Sequence, residues 1–172
     1  MWRVVASAVQ FQIAWLFCVV VANPIAVALF TLCNLCVHLR YVANLPYEPV
    51  WILSVGCAGM LLDTAMFASG VLSSSGGQAF PPIWLLLLWL NFAMALRYCF
   101  AFLQKSLWLS AAAGFFAGPA SYFTGAYLNG GVVLMSPLFL GLLVLAATWA
   151  IFLPLLVALA RVIHFRRSHE NA

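Results

Sequence analysis

The sequence contains very little charge. Asp, Glu, Lys and Arg make up 6% of its 172 residues, and only three of these side chains are acidic. Because soluble domains carry about 25% charged residues, this composition excludes an ordinary soluble enzyme or binding module. Hydrophobic residues account for 67% of the chain. We therefore predict a membrane protein that forms a single domain over residues 1–172.

The common signatures of catalysis are also absent. The chain has no paired catalytic carboxylates, nucleophile elbow, phosphate-binding loop or zinc-protease pattern. Its five cysteines are an odd number and lie inside apolar runs, which argues against a disulfide framework. Cys33 and Cys36 would share one helical face, so a redox pair remains an alternative, but a metal site needs further ligands. We predict no metal and no cofactor.

The apolar runs divide into six helices. Asn23-Pro24 breaks an uncharged stretch that would be ~50 Å long as one helix, well over a hydrocarbon core of ~30 Å. The first run imitates a signal peptide, but Gln10 and Gln12 favour a retained helix. The fold class is therefore all-α, a bundle of six transmembrane helices. The predicted helices are Val5–Ala22, Pro24–Arg40, Val50–Gly70, Ile83–Leu103, Leu107–Leu128 and Val133–His164.

The cations indicate the orientation of this bundle. Six crossings put both termini on one side, and the loops on the opposite side carry no Lys or Arg. The positive-inside rule then places the N-terminus and the C-terminus in the cytoplasm. Scattered cations of this kind do not predict a nucleic-acid surface. The seven cations at or near the cytoplasmic side are Arg3, Arg40, Arg97, Lys105, Arg161, Arg166 and Arg167.

A layer of polar side chains inside the membrane is the candidate ligand-binding site. Counting about 1.5 Å per residue from the helix ends places four polar residues at similar depth. Such groups are functional by default, although hydrogen bonds between helices are also ordinary structural contacts. A binding site, a proton relay and a clasp between helices all remain open. The four residues are Asp63, Asn91, Ser121 and Tyr122.

A second polar group lies nearer the cytoplasm. Gln12, His38 and Arg97 come out at similar depth, about one-third of the way across the bilayer. Asp63 and Arg97 differ in depth by about 10 Å, so a direct ion pair is not expected. We expect Arg97 to extend to the cytoplasmic surface and Asp63 to be protonated or hydrogen-bonded.

Small residues predict how the fifth helix packs. Gly114, Gly118 and Gly125 lie on one stripe, which allows close approach of another helix in lipid. We expect the third helix as the partner, through Gly56 and Gly59. Tyr122 would then direct its hydroxyl towards the Asp63 layer. The alternative is that Tyr122 points outward as an interfacial anchor.

Three stretches carry a resemblance to a known family. They are Gly59-Met-Leu-Leu-Asp63, Pro82-Ile-Trp84 with Trp89, and Gly114-(x)3-Gly118-Pro119-(x)2-Tyr122-(x)2-Gly125. The chain resembles a bacterial inner-membrane family catalogued as domain of unknown function 2878. That resemblance implies a multi-pass protein of the bacterial inner (plasma) membrane, in a context of lipid modification. It carries over no catalytic residue. With six helices, both termini inside and a Gly-x-x-x-Asp third helix, the predicted fold also resembles two other kinds of membrane protein. These are the substrate-binding membrane subunits of vitamin uptake and the small membrane component of the rod-shape machinery.

Three functions follow as hypotheses. The first is a membrane protein that binds a lipid or small amphipathic molecule near Asp63 and acts with lipid-modifying or other membrane proteins. The second is a membrane enzyme of lipid or quinone chemistry that uses Asp63 or the Cys33/Cys36 pair. The third is a structural or assembly subunit. The partners expected are the bilayer, a lipid or apolar ligand and a membrane protein, with no nucleic acid.

Overall fold

The computed structural model describes residues 1–21, 23–45, 47–78 and 80–170, with side chains as far as Val162. Ala22, the predicted end of the first helix, and the side chains of Arg166 and Arg167 lie outside this description. Within it the chain forms six α-helices, as predicted. They are α1 (Trp2–Val21), α2 (Pro24–Val37), α3 (Glu48–Ala68), α4 (Ile83–Leu96), α5 (Leu107–Asn129) and α6 (Leu138–Glu170).

Four segments in the described part of the chain are long and apolar enough to cross a membrane. They are Trp2–Val21, Pro24–Val42, Glu48–Ala68 and Leu138–Val162. α4 is apolar but has only 14 residues, which is about 21 Å of helix. α5 has 23 residues and interrupts its apolar sequence with Gly, Ser, Thr and Pro119.

The turn between α1 and α2 follows directly from two residues. The side-chain oxygen of Asn23 accepts hydrogen bonds from the backbone N–H groups of Ile25 and Ala26, at 3.1 and 3.0 Å. Pro24 occupies the first helical position, where its missing N–H costs nothing. At its other end α2 continues as one π-helical turn, His38–Val42.

Helix boundaries differ from the prediction in two places that affect polar residues. α3 begins at Glu48 instead of Val50, so the first turn of this helix carries a carboxylate. α4 ends at Leu96 instead of Leu103, and a 3₁₀ turn follows at Ala101–Lys105. Helix ends are the least certain part of a sequence-based assignment, because apolar runs continue through turns.

A two-stranded ribbon closes one end of the bundle and was not predicted. β1 (Leu72–Ser74) pairs antiparallel with β2 (Val132–Leu134), with Ser73 opposite Val133. Both strands were assigned to loops or to the start of the sixth helix. Strands of three residues are too short to show a period of two in the sequence.

The five glycines contact other helices than the prediction proposed. A Cβ at Gly114 would overlap the backbone of Trp149 in α6, and one at Gly118 would overlap the Trp149 side chain. Gly56 and Gly59 of α3 lie against Leu90 and Trp89 of α4. α5 therefore packs its glycines on α6, which is the most extensive helix contact among the described residues, and the predicted packing of these glycines on Gly56 and Gly59 of α3 is wrong. Gly125 only approaches Val19 of α1, at 3.8 Å.

Three arginines of the described residues lie at the end of the bundle opposite the ribbon. Arg3 donates to the backbone oxygen of Val42 at 2.8 Å, and Arg161 donates to that of Gln104. Arg97 lies at the same end, just after α4. At the ribbon end, the side chain of Asn129 donates to the backbone oxygen of Val19 at 2.6 Å. The two ends of the bundle thus have different chemistry.

The glycine contacts predict a contrast between two substitutions on α5. Gly114→Ala must push α6 away, because the atom it meets is a backbone carbonyl of Trp149. We expect a loss of about 1–3 kcal/mol in the free energy of unfolding. Gly125→Ala meets only ordinary van der Waals contact and should be neutral or slightly stabilising. Thermal unfolding of the detergent-solubilised protein measures both, and equal melting temperatures for the two variants would contradict this packing.

Candidate functional site

Asp63 joins three helices through its two carboxylate oxygens. Its side chain on α3 is 0% exposed. The indole Nε1 of Trp89 on α4 donates to Oδ2 at 2.6 Å, and the hydroxyl of Tyr122 on α5 donates to Oδ1. The prediction that Tyr122 points towards Asp63 is confirmed, and the alternative of an outward anchor is wrong. We call Asp63, Trp89 and Tyr122 the carboxylate clasp.

The clasp continues into a cluster of aromatic rings. Trp89 stacks on Trp149 of α6, with ring centres 5.3 Å apart and planes 10° from parallel. The rings of Phe92 and Phe152 lie nearly perpendicular to the Trp89 ring, with ring centres 5.6 and 5.7 Å away. Offset stacking and edge-to-face contacts are the favourable geometries for aromatic pairs. The hydrogen bond from Trp89 to Asp63 therefore fixes the position of a much larger apolar surface.

A cavity of about 520 Å³ lies beside the clasp. α1 and α5 form two of its sides, and α4 and α6 contribute the stacked indoles of Trp89 and Trp149. Most lining residues are aromatic, aliphatic, Ala or Gly. Of the four predicted ligand-binding residues, Ser121 and Tyr122 line this cavity. Asp63 lies behind Trp89 and Tyr122 and is fully buried.

Neutral polar groups on α1 and α5 meet inside this cavity. Trp15 donates from Nε1 to the hydroxyl oxygen of Ser121 at 3.0 Å, and this bond crosses the seam between the two helices. Gln12, one turn before Trp15, and Thr124, one turn after Ser121, also line the cavity. Gln12 is predicted to lie at the same depth as His38 and Arg97. The structure places it in the cavity wall, and His38 and Arg97 in a separate cluster.

Asn91 belongs to a separate contact between α2 and α4. Its side-chain oxygen accepts from Asn34 at 2.8 Å, and its amide donates to Thr31 at 3.2 Å. The structure therefore divides the predicted four-residue layer. Asp63 and Tyr122 form the clasp, Ser121 lies in the cavity wall, and Asn91 connects α4 to α2.

A buried ionic cluster was missed from the sequence. Glu48, only 3% exposed, contacts His38 Nε2 at 3.1 Å and accepts from Arg97 Nη1 at 3.0 Å. The Tyr98 hydroxyl donates to the same carboxylate at 3.3 Å and accepts from the backbone N–H of Asn44. Arg97 is only 4% exposed, so the expectation that it extends to the surface is wrong.

The sequence feature that could have indicated this cluster is its small number of acidic side chains. The chain has three carboxylate side chains, and Glu48 is one of two before its final residues. A buried arginine needs a carboxylate, because an unpaired charge in an apolar interior costs several kcal/mol. The predicted third helix begins at Val50, so the prediction leaves Glu48 in the loop before it, two residues from the helix start.

Cys33 and Cys36 lie apart from both polar sites. Their side chains are exposed on α2, and neither lines the cavity. Within the described residues, no group of three or more His, Cys, Asp or Glu side chains is arranged to hold a metal ion.

The comparisons with known proteins give one match. Residues 4–155 match the model of a family described as a protein of unknown function (DUF2878), the family that the sequence motifs resemble. Neither a curated protein nor a solved structure matches the chain.

The clasp predicts that Asp63→Asn and Asp63→Leu differ strongly in stability. The asparagine keeps a carbonyl for Trp89, and the Tyr122 hydroxyl can turn to accept from its amide. The leucine leaves two buried donors unpaired, at about 1–3 kcal/mol each. Removing one of those donors with Tyr122→Phe should restore part of the loss in an Asp63→Leu background. Unfolding of the solubilised protein by heat tests this, and equal losses for the two Asp63 variants would contradict it.

Proposed function

We propose that this chain, which belongs to the DUF2878 family, binds one lipid or small amphipathic molecule in the cavity between α1 and α5. The cavity itself is the observation that carries the proposal. This partly open cavity has a volume of about 520 Å³, which is in the range of sites that bind a single small ligand. Its lining combines a largely apolar surface with a few polar groups, which is typical of such sites.

In this proposal Asp63 positions the wall of the cavity and does not touch the ligand. Both of its oxygens are occupied by Trp89 and Tyr122, whose other surfaces face the cavity. The ligand-contacting residues are Ser121 and Tyr122, together with Gln12 and Trp15 of α1. Asn91 belongs to the α2–α4 contact and has no part in binding.

The carboxylate clasp also supports the alternative of an assembly or structural subunit. Its hydrogen bonds hold α3, α4 and α5 together whether or not a ligand is bound. The two functions differ in one respect, since only the binding protein needs the cavity to remain open. The enzymatic alternative has less support, because Asp63 is enclosed and Cys33 and Cys36 lie outside the cavity.

The same proposal includes six membrane crossings with both termini in the cytoplasm of a bacterium. The grouping of Arg3, Arg97 and Arg161 at one end of the bundle supports this orientation, since cytoplasmic segments are rich in Lys and Arg. α4 is short for a crossing, but the turn and 3₁₀ segment after it continue to Leu103 with Arg97 as their one charged residue, and that residue is paired with Glu48. Partner membrane proteins, including lipid-modifying ones, are part of the proposal as well.

The orientation predicts which loops can be labelled from outside the cell. In a chain whose native cysteines are replaced by serine, single cysteines are placed at Ser75 and at Lys105, both exposed. A membrane-impermeant maleimide should label position 75 in intact cells and position 105 only after lysis. The reverse pattern would invert the topology, and labelling of both positions in intact cells would rule out an α4 crossing.

Binding is tested by filling the cavity from α5. Ala117 lines the cavity, whereas Ala112 is exposed on the same helix outside it. Ala117→Phe should remove most of the molecule that co-purifies with the protein, measured by mass spectrometry of an organic extract. Ala112→Phe, the matched control, should leave its amount unchanged. Equal retention by both variants, or a wild-type protein without any bound molecule, would contradict the proposal.

A further inference from the structure

We infer that the cavity selects an uncharged single-chain lipid, with a hydroxyl or carbonyl head group, over a carboxylate, phosphate or ammonium lipid. This inference rests on the proposed function and specifies its ligand class.

No charged side chain of the described residues lines the cavity. Three arginines at the cation-rich end of the bundle are engaged elsewhere. Arg97 pairs with Glu48, while Arg3 and Arg161 donate to backbone oxygens at the same end of the bundle. An anionic head group would therefore enter an apolar site without a counter-charge, which costs several kcal/mol.

The donors nearest the clasp cannot compensate for that cost. Trp89 Nε1 and the Tyr122 hydroxyl both donate to Asp63 and direct their hydrogens away from the cavity. Asp63 cannot neutralise an ammonium head group either, because it is 0% exposed behind these two side chains. Neither the Asp63 carboxylate nor the Trp89 and Tyr122 donors are therefore available to a ligand in the cavity.

The polar groups that remain suit a neutral head group. The Ser121 hydroxyl accepts from Trp15 Nε1 and keeps its own hydrogen to donate. The Gln12 amide in the same wall can both donate and accept. Thr124 and the Trp149 indole also line the cavity. All of these groups are uncharged, so they match an alcohol, ester or ketone oxygen and supply no counter-charge for an ion.

The shape of the cavity suits one chain. Its lining runs from Phe11 to Val19 on α1 and from Ala113 to Ala126 on α5. At 1.5 Å per residue these segments measure about 12 and 20 Å. The cavity is therefore elongated along the α1–α5 seam and spans about two-thirds of a hydrocarbon core of ~30 Å. That length suits one acyl chain lying extended along the seam.

Bromine-labelled chains can test the selectivity, because bromine quenches nearby tryptophan fluorescence. Four tryptophans line the cavity: Trp15, Trp84, Trp89 and Trp149. The wild-type protein in detergent is titrated at pH 8 with ω-bromododecanol, ω-bromododecanoate and (ω-bromododecyl)trimethylammonium. Ala117→Phe defines the part of the quenching that depends on the cavity, and Ala112→Phe is the matched control.

We expect the alcohol to give saturable quenching at a concentration at least about tenfold lower than either ion. This quenching should be lost in Ala117→Phe and retained in Ala112→Phe. If all three chains saturate alike and Ala117→Phe abolishes each signal, the cavity binds lipid but the inferred selectivity is wrong. If none gives quenching that Ala117→Phe removes, the proposed function itself fails.

Discussion

The hydrogen bonds to Asp63 are the interaction on which the rest of the bundle depends. A buried carboxylate in an apolar interior is tolerated only when both oxygens have partners. Here the partners come from two further helices, so α3, α4 and α5 must meet at one point. Trp89, held in this way, presents its ring to Trp149, and Gly118 of α5 leaves room for that second indole. The position of α6 therefore follows from a polar contact that α6 does not make.

Counting along helices predicted the depth of residues but not the direction of their side chains. Asp63 and Tyr122 were matched correctly because both depth and direction agree. Asn91 has a similar predicted depth, yet it faces α2. All other residues of α4 are apolar, so its sequence does not show how the helix is rotated about its axis. The sequence of α5 shows its glycine stripe but not the helix that packs on it. Spacing identifies a face, whereas tertiary packing selects the helix that covers it.

The Glu48 cluster shows a different limit of sequence reasoning. Helix α4 has 14 residues, and Arg97 and Tyr98 follow it directly. Their pairing with Glu48, at the first residue of α3, joins the ends of two helices where the chain leaves regular structure. An error of two residues in the start of α3 was enough to assign Glu48 to a solvated loop. Buried ion pairs are weak evidence for stability. They do disfavour other alignments of the two helices, because sliding one helix along the other would leave a buried charge without its partner.

The contrast between the two seams of the bundle explains why the cavity stays open. The α5–α6 seam is closed by glycines that bring backbones together at Trp149. The α1–α5 seam is bridged instead by single polar contacts, from Trp15 to Ser121 and from Asn129 to Val19. Hydrogen bonds of this kind fix the separation of two helices without filling the space between them. In the proposed membrane setting no hydrophobic force drives that space to collapse, so it is available to a molecule that is apolar itself.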